Sequence, residues 1–147
     1  MGKLLTFIIG AISGVVVTAV LIVVMAPSMM ILENDSKFSF KGTVDKIKVS
    51  AAAKGWKSPV THELHKAVAK AGFDVKPASV IELCQPKHAG KILSRDENRI
   101  VTSLMPCRVS IYETGEGKVV VSRMNSSMVS KISGGEIAEV MSAASKE

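Results

Sequence analysis

Two cysteines, Cys84 and Cys107, are the residues of this chain best suited to chemistry. Cys84 stands directly before Gln85-Pro86, the expected start of a helix, where free backbone N–H groups and the helix dipole favour a thiolate. Lys87 and His88 follow it, and Glu82 alternates onto the same strand face, in position to accept a proton beside the thiol. Cys107 lies between Pro106 and Arg108 and shares a face with Val109 and Ile111, the side expected to be buried.

Several readings of the pair stand open. The two thiols could close a structural disulfide in an oxidising compartment. They could form a redox or sulfur-handling site, with Cys84 as activated thiolate, Cys107 as resolving partner, and Arg108 and Lys87 stabilising a thiolate or a bound anion. Cys84, His88 and Cys107, with Met105, could bind copper or zinc, since thiolate, imidazole and thioether are the donors such ions select. Equally, both could be small buried residues without further role. The spacing is not that of a zinc finger. His62 and His65 fall three apart on a predicted helix, spacing that suits a metal or simply a polar helix face. No serine-histidine-acid set, glycine-rich phosphate loop or His-Glu-x-x-His run is present, so no standard hydrolase or nucleotide enzyme is indicated.

The elements that must position these residues are read from periodicity. Lys37 to Lys41 alternates, predicting a strand with Phe38 and Phe40 on one face. Thr43 is the expected cap of a helix carrying Val44, Ile47 and Ala51 up to Gly55. Ser58-Pro59 opens a second predicted helix with Val60, Leu64, Val68 and Ala71 on its apolar side. Val75 to Cys84 reads as a strand, and Gln85-Pro86 opens a short helix with Ala89, Ile92 and Leu93. Ile100 to Glu113 and Lys118 to Asn125 read as strands joined by Thr114-Gly115-Glu116-Gly117. After Gly134-Gly135 comes a last helix bearing Ile137, Val140, Met141 and Ala144. This order predicts an α+β domain, an antiparallel sheet with helices packed on one face.

At 147 residues, with 47% hydrophobic but only 4% aromatic content, the chain is too short for a multidomain enzyme. All charged residues except Lys3 lie at or after Glu33, which divides it into residues 1–32, an N-terminal transmembrane anchor, and 33–147, the α+β domain. The basic excess is mild, and no Lys/Arg stripe is interleaved with aromatics, which argues against nucleic-acid binding. Leu4 to Met25 supplies the roughly 20 apolar residues that cross a bilayer as a helix. The run exceeds the roughly 7 to 15 residues of a signal-peptide core, and Pro27 is a poor start for a cleaved chain, so an uncleaved anchor is favoured over a cleaved signal. Lysine counts on the two sides conflict with the offsetting acids. The favoured topology puts the N-terminus inside and the domain at the outer, periplasmic side of the cytoplasmic membrane. Thr6, Gly10, Gly14 and Thr18 recur every four residues, a small-residue stripe on which helices of this kind can pair.

Glu82-Leu83-Cys84-Gln85-Pro86, then Leu104-Met105-Pro106-Cys107-Arg108 leading into Ile111-Tyr112-Glu113, resemble the bacterial and archaeal family called domain of unknown function 302. Arg123-Met124-Asn125, the run from Gly134 to Met141, and Gly55-Trp56 extend the resemblance, which covers Phe38 to the C-terminus and leaves the apolar span outside. The resemblance implies a TATA-binding-protein-like α+β topology, a tendency to self-associate and no agreed biochemical activity. It maps Cys84, Pro86, Met105, Pro106, Cys107 and Arg108 onto the family's motif positions. His88 stands where the family would carry an aromatic or other bulky residue, so a metal site built on it would not be general to the family.

The sequence therefore points to an α+β domain held at the outer face of the cytoplasmic membrane by an anchor in the lipid bilayer, with a thiol-based redox or sulfur- or anion-binding role at Cys84 and Cys107. The alternatives are a non-catalytic binding or assembly subunit, as a homo-oligomer or within a membrane complex, and a soft-metal protein. No resident cofactor is expected beyond the copper or zinc of that last reading.

Overall fold

The computed structural model describes residues Gly2–Glu147, which divide into two units, residues 2–30 and Ile31–Glu147. The first is helix α1 (Gly2–Met30), which over Gly2–Ala26 is long and apolar enough to cross a membrane by length and composition. Its threonines bond within the helix. Thr6 Oγ1 donates to Gly2 O at 3.0 Å and Thr18 Oγ1 to Gly14 O at 2.8 Å.

The second unit is an α+β fold around a five-stranded antiparallel open sheet in the order β1-β5-β4-β3-β2. The strands are β1 (Ile31–Ser36), β2 (Thr61–Glu63), β3 (Ala78–Leu83), β4 (Cys107–Glu113) and β5 (Val119–Met124). Pairing of Ile81 with Val109 and of Ile111 with Val121 puts these residues, with Leu83, Cys107, Val119 and Arg123, on one inner face. The core sits there. Ile81 and Ile111 are fully buried beside Val119, and Phe40, Val44 and Ile47 of α2 (Phe40–Ala53) pack on them. Burying each isoleucine contributes about 1.5–3 kcal/mol. On the outer face, Tyr112 Oη donates to Glu33 Oε1 at 2.8 Å, tying β1 to β4 across β5.

Several expected elements differ. Phe38 and Phe40 do not share a strand face, because β1 ends at Ser36 and Ser39 caps α2, its hydroxyl accepting from Gly42 N at 3.2 Å. Thr43, the expected cap, is inside the helix and buried, its hydroxyl 2.7 Å from that of Ser36. The helix expected from Ser58-Pro59 gives way to β2 and a short α3 (Leu64–Ala69), because Thr61 to Glu63 pair with Ser79 to Ile81. The long strand expected from Ile100 starts only at Cys107. Asp96–Leu104 is a 3₁₀ helix, anchored by buried Asn98, whose Nδ2 donates to Glu136 Oε2 at 2.9 Å. Ile100 is 80% exposed and so supplied no strand face to bury. Helix α4 (Pro86–Leu93) starts where expected, α5 (Ser126–Ile132) was not anticipated, and α6 (Gly135–Lys146) is the expected last helix.

Candidate functional site

Two spaces in the second unit meet at Cys107. The first is an apolar cavity of about 50 Å³ under the sheet end, lined by Cys84, Met105, Cys107 and His88 together with Ile92, Val140 and Met141. The second is an open groove of about 960 Å³ between α2, the inner sheet face and the end of α6. Its floor includes Ile47, Val109 and Val121, and Leu83, Trp56 and Cys107 border both spaces.

The four residues expected to share a soft-metal site thus line one cavity. Among the described residues, however, no three His, Cys, Asp or Glu side chains are grouped to hold a metal ion. Both thiols are free and half-buried. Burial pushes the Cys107 thiol above its ordinary value, and the nearby Cys84 raises it further, so Cys107 is held as a thiol. Cys84 stands directly before the Gln85 cap of α4, and its main chain is tied to a neighbouring segment. The tie is a bridge to Lys57, with Lys57 N donating to Cys84 O at 2.7 Å and Cys84 N to Lys57 O at 2.8 Å. Gln85 caps α4, accepting from Lys87 N at 3.3 Å.

Of the charged residues expected around the thiols, Arg108 borders the groove with Cys107, while Glu82 and Lys87 line neither space. Glu82 pairs with Arg108 in register on the outer face, opposite Cys107. There its Oε1 lies 3.0 Å from His62 Nε2 and 3.9 Å from Arg108 Nε, so its partners are His62 and Arg108. Lys87 is exposed on the first turn of α4 and lines neither space. His62 and His65 do not share a helix face. His62 is in β2, and His65 Nδ1 lies 2.8 Å from Ala78 O.

The sequence reading missed a polar cluster at the end of the groove. Glu147 Oε2 accepts from Trp56 Nε1 at 2.8 Å, its Oε1 lies 3.3 Å from His88 Nε2, and Lys54 Nζ donates to its main-chain oxygen. The Trp56 N–H, and then His88, hold the Glu147 carboxyl below the usual carboxylate range. The lone tryptophan after Gly55 was the only signal, and nothing in its spacing named Glu147 as partner.

The profile of the family described as domain of unknown function DUF302 matches residues 32–147. The chain belongs to this family. A solved structure similar to it is the uncharacterized conserved DUF302 protein from Bacillus stearothermophilus, with TM-score 0.71, 19% identity, and coverage of 80% of this chain and 91% of that one. At that identity the likeness establishes the DUF302 fold alone. No curated protein matches the sequence.

Proposed function

We propose that the DUF302 domain of this chain is a non-catalytic binding module for a small organic anion with an apolar body, held in the groove beside Cys107. The observation that carries this reading is the pairing of an apolar floor with a basic rim. Ile47, Val109 and Val121 offer hydrocarbon contact, while Lys37, Lys46, Arg123 and Lys146 border the space, outnumber its acids Asp35 and Glu147, and make no ion pair among the described residues. Lys46 instead lies 4.0 Å over the Phe38 ring. Unneutralised cations around a concave space attract anions, and a partly apolar groove of this volume suits a small-molecule ligand.

Calorimetry with octanoate and its neutral analogue octanamide tests the reading on the full chain in uncharged nanodiscs. Octanoate is expected to bind and octanamide to bind more weakly, with the difference shrinking at high salt and in Arg123→Ala. Equal binding of the two, or none, overturns it.

Thiol chemistry at Cys84 and Cys107 is a second reading, favoured by the way both residues line one cavity. It predicts a protein two protons lighter when isolated without reductant. Both readings place the domain at a membrane through α1, at the outer face, and the binding reading extends to a self-associating assembly.

A further inference from the structure

We infer that Trp56 and His88, with the Lys54 ammonium beside them, form a carboxylate-binding subsite at the end of the groove, whose indole N–H and imidazole the Glu147 side chain occupies in the free protein and the carboxylate of the ligand takes over. This deepens the proposed function and rests on it. The three side chains come from two places, the turn that ends α2 and helix α4, and the main chain of that turn is fixed independently of Glu147. Lys54 and Trp56 sit on the turn that ends α2, where Lys54 N and Trp56 N both donate to Ala51 O, at 3.1 and 2.9 Å, and Gly55 N to Ala52 O at 3.0 Å. That turn is held from the other side by Gln85, whose Nε2 donates to Lys54 O at 3.1 Å. His88 belongs to α4. Its Nδ1 is buried without a partner, which leaves Nε2 as the nitrogen that meets the carboxylate.

The acceptor differs in kind. Glu147 is exposed and lies just past α6, so its side chain can swing off the donors while the helix stays in place. Polar groups carried on a held turn and a helix, and closed by a displaceable carboxylate, make an oxyanion site with an internal occupant. Lys54, Trp56 and Glu147 all border the groove, so withdrawing Glu147 joins the donors to the apolar floor. A monocarboxylate could then place its head on the indole N–H, imidazole and ammonium and lay its chain along Ile47, Val109 and Val121. Because the internal carboxylate competes at high effective concentration, the free protein binds more weakly than its subsite allows.

Trp56 is the only tryptophan, so its emission reports the subsite directly. The test titrates octanoate and octanamide into the full chain and its Glu147→Ala and Lys54→Ala variants, following Trp56 emission and heat together. The expected result is roughly tenfold tighter octanoate binding in Glu147→Ala, with no gain for octanamide, and loss of the preference for octanoate in Lys54→Ala. Equal octanoate affinity in the parent and Glu147→Ala, or equal gains for both ligands, overturns the inference. Charge-selective binding that is lost in Arg123→Ala but indifferent to Glu147 and Lys54 leaves the groove reading standing and this one fallen. Absence of binding in every variant defeats both.

Discussion

Cys107 carries the most direct residue-scale consequence, because its thiol is held above the ordinary range chiefly by burial. A raised value in the folded state means that the unfolded chain ionises first as pH rises. Stability contributed here is therefore complete below the thiol range and declines above it. Thermal melts are expected to show this alkaline decline in the parent and a flatter profile in Cys107→Ala. Alkylation of Cys107 by iodoacetamide should likewise accelerate only at pH above that of a free thiol. Glu147 has the opposite sign. Its carboxyl is held low by the Trp56 bond and then by His88, so its contribution is present above the ordinary carboxylate range and disappears as pH falls below it. A Glu147→Gln protein should melt lower than the parent at neutral pH and together with it in strong acid.

At the scale of elements, the start of α2 separates two kinds of hydroxyl. Ser39 is an exposed cap with one bond to Gly42 N, and Ser39→Ala should cost about 1 kcal/mol by urea unfolding. Thr43 is 4% exposed and shares its hydroxyl with Ser36 and with Ser39 O at 2.9 Å. Thr43→Val keeps the shape but strips partners from a buried network, for an expected cost of about 1–3 kcal/mol. The end of α2 has its own constraint. Gly55 adopts φ +79°, and a Cβ there would come 3.2 Å from Gln85 Nε2, the donor that holds Lys54 O. Gly55→Ala should cost about 1–2 kcal/mol and also weaken the hydrogen bond at Trp56, seen as a change in its emission.

For the whole molecule, stability rests on a small inner-face core, so Ile111→Ala should cost about 2–5 kcal/mol and lower the urea midpoint without changing the slope. The proposed anchoring through α1 is read by fractionation. The full chain should stay with the membrane pellet after alkaline carbonate, and replacing Val15, Val16 and Val17 with lysine should release it. Retention of that lysine variant in the pellet would sink the membrane assignment.

Local chemistry made much of this chain legible in its sequence. The uncharged stretch from Leu4 to Met25 forms a long apolar helix, Gln85-Pro86 caps α4 by side-chain and ring geometry, and alternation at Val109 and Ile111 marked the buried face of β4. Short-range bonds decide such features. The tertiary structure decided what depends on distant partners. Residues 61 to 63 became a strand only because β3 offered an open edge, and the apolar run after Ile100 became 3₁₀ because Asn98 found Glu136. Glu82 turned to the outer face, where it meets His62 and Arg108, because register set it across the sheet from Cys107. The cluster of Lys54, Trp56, His88 and Glu147 joins residues up to 93 positions apart, a closure that only the packed sheet and helices impose.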